Sequence, residues 1–342
     1  MGMNRNLTDG LNFASKLTLR RAWNSVKVVA SYYYSRLSGQ AYLPAMPISI
    51  SIEPTTSCNL RCPECPSGLR SFTRPTGMLD QALFKKVIDE LAPTLPYLIF
   101  YFQGEPYLHP ALLEMVGYAS QKKIYTATST NAHYLSDEMA RKTVESGLDR
   151  MVVSIDGVDQ EAYSAYRIGG RLSKVIEGTR NIIKWKRALK SKTPHVVFQF
   201  LVVRHNEGQV DRVFELAKEL GVDEVALKTA QVYNYEHGSD LIPVNEKYSR
   251  YKKRDDGTYT IKNGLANHCW KMWHSCVVTW DGKVVPCCFD KDAHYVLGDL
   301  KKNTFKEIWE QGKYQHFRQS LLRSRKELEI CRNCTEGTKV WA

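Results

Sequence analysis

From residue 48 to about residue 228, short apolar runs alternate with stretches whose apolar positions recur every three to four residues. A short apolar or β-branched run predicts a strand, and the three-to-four spacing predicts a helix with one buried face. Strands are predicted at 48–53, 97–102, 124–128, 150–155, 196–203 and 224–228. Helices are predicted at 80–91, 110–122, 136–146, 174–189 and 210–220. Ser136 followed by Asp137 and Glu138 marks a helix start, since a hydroxyl and carboxylates suit the free N–H groups there. Gly147 and Gly221 stand where helix C-caps belong. Regular strand–helix alternation implies a parallel sheet with right-handed crossovers.

The pattern changes on either side of this region. Residues 231–265 are polar and turn-rich, as in a linker or an irregular lid. In 266–342, two β-branched runs flank Asp281-Gly282, a strong signal for a type I′ hairpin, and a helix is predicted over about 304–325. In 1–47, Leu19, Trp23, Val26, Ala30, Tyr33 and Leu37 fall at helical spacing, with Gly39 placed to end the helix. Over residues 1–40, Arg5, Lys16, Arg20, Arg21, Lys27 and Arg36 stand against Asp9 alone, a net of +5. Such a helix packs its stripe across the bottom or open edge of the sheet, the favoured expectation, or lies on an anionic membrane.

Composition narrows the class. The 342 residues are 43% hydrophobic and 25% charged, ordinary for a globular chain. Mean hydropathy is −0.39 and no long apolar run predicts a membrane span. Met1 to Gly10 shows no secretion signal, and Asn6 stands where a myristoylation motif needs Ser or Thr. A cytoplasmic protein is therefore expected. The net charge of +12 points to an anionic substrate or surface. The basic residues are too scattered for nucleic-acid recognition. Nine cysteines, clumped and odd in number, argue for metal sites and against a disulfide framework.

Three of them, Cys58, Cys62 and Cys65, follow the first predicted strand with the spacing C-x3-C-x2-C. Zinc usually takes paired cysteines with a second pair or histidines further on, whereas a [4Fe–4S] cluster takes thiolates. Three thiolates leave one iron open. This motif resembles that of the radical S-adenosylmethionine superfamily. The resemblance implies a [4Fe–4S] cluster whose open iron binds S-adenosylmethionine and reductively cleaves it to a 5′-deoxyadenosyl radical, which abstracts hydrogen from substrate. It also implies an external electron donor such as flavodoxin or ferredoxin. The fold it implies is α/β: a partial TIM-like (βα)6 barrel over 48–230, followed by a small cysteine-rich α+β iron–sulfur domain. In such barrels the active site lies at the C-terminal ends of the strands.

Further motifs sit at the next strand ends. Gln103-Gly104-Glu105-Pro106 resembles the family's Gly-Gly-Glu-Pro turn, with Gln103 in place of the first glycine. The resemblance assigns it to the amino group of the cofactor. Asn131 ends the third predicted strand, with Ala132 where the family often has glycine. Ser154, Asp156 and Arg167 resemble the family's Ser-x-Asp-Gly and downstream arginine, implied to meet ribose and carboxylate; by themselves the first two are equally a polar strand end. Arg204, Lys228 and Gln231 are candidates to face the mouth.

Cys269, Cys287, Cys331 and Cys334, with Gly282 between the first two, resemble the SPASM/twitch domains that carry auxiliary clusters. The resemblance implies one auxiliary [4Fe–4S] cluster, as in the shorter twitch type, acting as electron acceptor. A four-cysteine zinc knuckle shares this spacing. Cys276 and Cys288 are extra ligands or buried thiols. Asp290, just past them, is a candidate base for deprotonating substrate. The expected activity is hydrogen abstraction with net oxidation of a small or carbohydrate-like substrate, because the 47 residues before the barrel are too few for a winged-helix leader-binding domain. A peptide or protein maturase is the alternative, and a non-catalytic iron–sulfur or zinc protein is the rival of another class.

Overall fold

A computed structural model describes residues 2–310 and 312–340, with side chains from residue 7 onward; the Arg5 charge lies outside the described residues. Two helices, α1 (Gly2–Ser15) and α2 (Leu19–Ser38), precede six strands: β1 (Ser49–Ile52), β2 (Tyr97–Ile99), β3 (Tyr125–Thr130), β4 (Arg150–Ser154), β5 (His195–Val202) and β6 (Glu224–Thr229). These strands lie side by side in chain order, each parallel to the next. The intervening helices are α3 (Pro66–Leu69), α4 (Gln81–Leu91), α5 (Leu112–Gln121), α6 (Asp137–Glu145), α7 (Gln160–Tyr166), α8 (Leu172–Ala188) and α9 (Val210–Leu220). Ile50, Leu98, Met151, Val153, Phe198 and Phe200 are wholly buried between sheet and helices. The predicted partial barrel is what forms. Ser136 caps α6 by accepting the Met139 N–H, and Gly221 ends α9 in the left-handed conformation at φ 81°.

The 231–265 segment is less irregular than its composition implies. It carries a short antiparallel pair, β7 (Tyr251–Lys253) and β8 (Tyr259–Ile261). Tyr251 stacks on Tyr235 at 4.5 Å. Val232, Ile242 and Tyr251 pack with Leu60, Cys62 and Tyr166 into a second apolar cluster over the cysteine loop.

After α10 (Lys271–His274), strand β9 (Ser275–Val278) pairs parallel with β1, in register from Ser49↔Ser275 to Ile52↔Val278. Strands β10 (Lys283–Val285) and β11 (Gly298–Asp299) continue outward, making one nine-stranded sheet. The C-terminal segment thus covers the β1 edge, which would otherwise present unpaired N–H and C=O groups.

Three expectations are corrected. The β9–β10 turn is not type I′: among its residues only Gly282 has positive φ, at 85°. Gly282 N–H donates to Thr279 C=O at 2.9 Å, as in a type I turn with a glycine bulge. The C-terminal helix divides into α11 (Phe305–Glu310) and α12 (Gly312–Arg323), with Gly312 left-handed at φ 60°. The N-terminal stripe does not pack inward. Helix α2 buries Arg21, Asn24, Val28, Ser31, Tyr32 and Ser35 instead. Their polar atoms are matched to the barrel base: Arg21 donates to the carbonyls of Ala92 and Lys122 at 2.8 Å.

Candidate active site

The loop after β1 begins with a buried ion pair. Glu53 is 0% exposed and accepts both terminal nitrogens of Arg74 at 2.6 and 2.8 Å, plus the Trp280 N–H at 3.2 Å. Burial raises the Glu53 pKa and Arg74 opposes it. Both ends of the cysteine loop are thereby tied to the β9–β10 turn. Between them, Cys62 is buried and Cys58 and Cys65 are partly buried, all as free thiols. Gly68 lies against this loop so closely that a Cβ there would meet the Cys62 nitrogen at 2.5 Å.

Each cysteine meets a residue from another strand end. Asn131 Nδ2 lies 4.0 Å from Cys58 Sγ, and Arg167 Nη1 lies 3.8 Å from Cys62 Sγ. Gln103 Oε1 lies 4.0 Å from Cys65 Sγ. The Leu60 N–H also points at Cys58 Sγ, at 3.5 Å. Burial pushes the Cys58 thiol up to about 12, reinforced by Glu105, Cys65 and Cys62. Burial also raises Cys62, while Arg167 opposes it.

Gly104 explains why its turn tolerates Gln103. At Gly104 φ is +75° and a Cβ would fall 2.2 Å from the Thr55 carbonyl oxygen, a place only glycine fills without strain. Gln103 faces no such constraint. Its neighbour Glu105 is 2% exposed and accepts Thr130 Oγ1 at 2.7 Å and the Asn131 N–H at 2.8 Å. Burial raises its pKa against these bonds. Pro106 opens a short 3-10 turn over Pro106–Leu108. Asn131 also donates to Asn59 at 2.8 Å, a cysteine-loop residue the sequence did not single out. Ser154 is buried at the end of β4. Asp156 accepts Arg167 Nε at 2.5 Å and the Leu201 N–H at 2.8 Å. Burial lowers the Arg167 pKa, but Asp156 and Cys62 outweigh it and the guanidinium titrates well above its ordinary value.

The second cysteine set also converges. Burial raises Cys331 to about 12, with Cys269 and Cys334 adding to the effect. Cys334 rises to about 11 through burial, with Cys269 and Cys288 contributing. Cys287 rises through burial and its neighbours Cys288, Cys334 and Cys269. Cys288, left open by the sequence, is exposed and within electrostatic reach of Cys287 and Cys334. Cys276 sits apart in β9, opposite Ile50 and beside Arg318. A Cβ on Gly337 would strike Cys269 Sγ at 2.3 Å.

Both sets suit iron–sulfur clusters. Thiolates holding a cluster take N–H donors and positive charge at their sulfurs. The first set has the Leu60 N–H and the Arg167 guanidinium. The second has Arg325, 1% exposed, whose Nε lacks a hydrogen-bond partner and which lies within electrostatic reach of Cys269, Cys334 and Cys331. Among the described residues no three His, Cys, Asp or Glu side chains are grouped closely enough to hold a metal ion.

A groove of about 390 Å³ is lined by chain neighbours of both sets. Pro66, next to Cys65, lines it on one side. Asp290, two residues past Cys288, and Arg332 and Asn333, between Cys331 and Cys334, line the other. Gln231 and Tyr233 close it from the lid. Asp290 accepts the His294 and Tyr295 N–H groups at 2.8 and 2.9 Å, and burial raises its pKa. Of the other mouth candidates, Arg204 is spent on the lid, donating to the Ile242 carbonyl at 3.1 Å. Lys228 instead lines a separate cavity with Phe13 and Tyr97.

Parallel strands presenting a three-cysteine loop at their C-terminal ends, backed by a second cysteine set, define a barrel built for iron–sulfur radical chemistry. The radical SAM superfamily model matches residues 52–232, and the SPASM iron–sulfur cluster-binding domain matches 269–335. The chain belongs to the radical SAM superfamily and is an enzyme of that type, with S-adenosylmethionine, its [4Fe–4S] cluster and auxiliary cluster binding as cofactors. It is 28% identical over 300 residues to the tungsten-containing aldehyde ferredoxin oxidoreductase cofactor-modifying protein of Pyrococcus furiosus, covering 78% of this chain and 82% of that one. It is 24% identical over 319 residues to the PqqA peptide cyclase of Gluconobacter oxydans, covering 87% and 86%. In fold it resembles anSMEcpe with bound AdoMet, with TM-score 0.61, 20% identity and coverage of 84% and 85%.

Proposed function

We propose that this enzyme removes hydrogen from a compact polar substrate, small-molecule or carbohydrate-like, with net oxidation. The groove lined by chain neighbours of both cysteine sets carries this reading. Its volume of about 390 Å³ falls in the range of small-ligand sites, and its lining mixes Tyr233 and Tyr235 with Lys291, Arg332 and Asp292. Cys58, Cys62 and Cys65 would hold the cluster that binds S-adenosylmethionine. Cys269, Cys287, Cys331 and Cys334 would hold one auxiliary cluster, with Cys288 beside them. When bound, these groups supply hydrogen-atom abstraction from substrate. The chain's own part is positioning. Gln103 to Pro106 and Asn131 shape the turn over the cysteine loop. Ser154, Asp156 and Arg167 would offer a hydroxyl, a carboxylate and a cation to the ribose and carboxylate of the bound cofactor. Asp290 stands at the groove to take a substrate proton. An external donor such as flavodoxin or ferredoxin supplies the reducing electron.

The test is anaerobic incubation of the loaded enzyme with S-adenosylmethionine, dithionite and panels of alcohols, sugars and peptides. 5′-Deoxyadenosine together with a small-molecule product two hydrogens lighter supports the proposal. The resemblance to a peptide cyclase across 87% of this chain favours a second reading, peptide modification. A product formed only on a leader-bearing peptide would establish that reading instead.

A further inference from the structure

Helix α2 is inside out for a helix lying on a globular protein. Leu19, Trp23, Val26, Ala30, Tyr33 and Leu37 are spaced four and three residues apart in alternation. At about 100° per residue they fall within about 40° of one line along the helix. That line faces solvent: Leu19 is 92% exposed, Leu37 89% and Trp23 64%. The opposite side, carrying mostly polar or small side chains, is the buried one.

The helix is held in this orientation. Arg21 is 2% exposed and donates to carbonyls of Ala92, Lys122 and Lys123. Asn24 exchanges two bonds with Met46, at 2.8 and 3.0 Å. Ser35 accepts the Tyr42 N–H at 3.0 Å. Rolling the stripe inward would strand the buried Arg21 charge and both partners of Asn24, a cost that outweighs the gain from covering the stripe. The exposed stripe is therefore a property of the folded state.

Charge identifies what covers it. Between Gly10 and Ile52 the sequence contains no Asp or Glu. Arg20 and Lys27 lie about 80–100° to one side of the stripe and Arg36 about 100° to the other, so basic side chains line both margins. Glu90 and Glu310 share a cleft with Arg20 and Lys27, but Glu90 already accepts the Phe305 and Lys306 N–H groups. The chain as a whole carries +12. Six apolar positions over 19 residues make a strip about 27 Å long, with Trp23 and Tyr33 suited to a headgroup boundary. No helix among the described residues is long and apolar enough to cross a membrane. We infer that α2 docks this enzyme onto an anionic lipid surface, lying in the plane of the headgroups with its apolar stripe inserted and its basic margins on lipid phosphates.

The test uses the full chain with clusters loaded, sedimented with vesicles of phosphatidylcholine alone or of phosphatidylcholine with phosphatidylglycerol. The expected result is sedimentation with the phosphatidylglycerol vesicles only, released by high salt. The Trp23→Glu/Leu37→Glu double variant should lose at least tenfold in bound fraction while forming 5′-deoxyadenosine at the parental rate. Arg20→Glu/Arg36→Glu, which leaves the stripe intact, should bind several-fold more weakly and lose most of the salt dependence. Equal binding of parent and stripe variant, or no binding to anionic vesicles, overturns the inference. A concentration-dependent dimer abolished by Trp23→Glu/Leu37→Glu, without vesicle binding, would assign the stripe to a second copy of the chain and overturn it as well.

Discussion

The guanidinium of Arg167 donates to Asp156 through Nε at 2.5 Å and lies 3.8 Å from the sulfur of Cys62 through Nη1. One side chain from the loop after β4 therefore ties the fourth strand end to the cysteine loop after β1. Asp156 is 0% exposed and the Arg167 side chain 17%, so this pair is largely shielded from water.

Substitutions at Arg167 should separate its two roles. Arg167→Ala removes one partner of a buried pair, which destabilises by about 3–5 kcal/mol, measurable as a lowered midpoint in denaturant. Arg167→Lys keeps the charge but cannot serve Asp156 and Cys62 together. It should fold, retain iron and form 5′-deoxyadenosine at least about tenfold more slowly, a loss of about 1.4 kcal/mol in transition-state stabilisation. Parental rates in Arg167→Lys would show that the bridge has no part in cofactor positioning.

The turn before it makes a sharper contrast. Gly104→Ala places a Cβ 2.2 Å from the Thr55 oxygen at φ +75°, strain of about 1–3 kcal/mol before the overlap is counted. It should abolish cofactor cleavage. Gln103→Gly, which restores the family's first glycine, should retain cleavage within a few-fold. Its reduction potential, followed by EPR during titration, should shift, because Gln103 lies 4.0 Å from Cys65 Sγ and polar groups at the sulfurs tune the potential.

The six strand ends and the cysteine motifs were legible in the sequence because both are local signals. Apolar periodicity marks β1 to β6 within a residue or three, and C-x3-C-x2-C needs no distant partner. What was hidden is long-range. Glu53 looked like a strand terminus, yet it holds Arg74 and the Trp280 N–H, partners 21 and 227 residues away. Arg325 carried no motif, yet it is the buried cation beside the second cysteine set. The α2 stripe was seen, but periodicity names two faces without saying which is inside. Arg21 and Asn24 decided that through carbonyls of other elements.

Gly337 gives a selective handle on the second cysteine set. Its φ is +78°, and a Cβ would lie 2.3 Å from Cys269 Sγ. Gly337→Val should lower iron from about eight to about four atoms per chain while 5′-deoxyadenosine formation persists and substrate oxidation falls. Full iron content in Gly337→Val would show that the C-terminal segment adjusts without disturbing these thiols.

At the barrel base, Arg150 bridges Glu224 at 2.7 Å and Asp9 of α1 at 2.8 Å, and His195 joins Glu224 at 3.1 Å. The hydrogen bond from His195, helped by Arg150, lowers the Glu224 pKa to about 2 against partial burial. A carboxylate held more acidic in the folded state stabilises above its unfolded value, near 4.5, and loses that contribution as pH falls through about 2. Glu224→Gln should therefore be less stable than the parent at pH 7. The side chain is 27% exposed, so solvent screening reduces the difference to about 1 kcal/mol or less. Circular dichroism during denaturant titration should show the gap constant from pH 7 to about pH 5 and closing between about pH 4.5 and pH 2. A gap that widens on acidification would mean that His195 and Arg150 do not hold Glu224 ionised, and that α1 is anchored chiefly by Asp149, which Lys16 and Asn12 both contact.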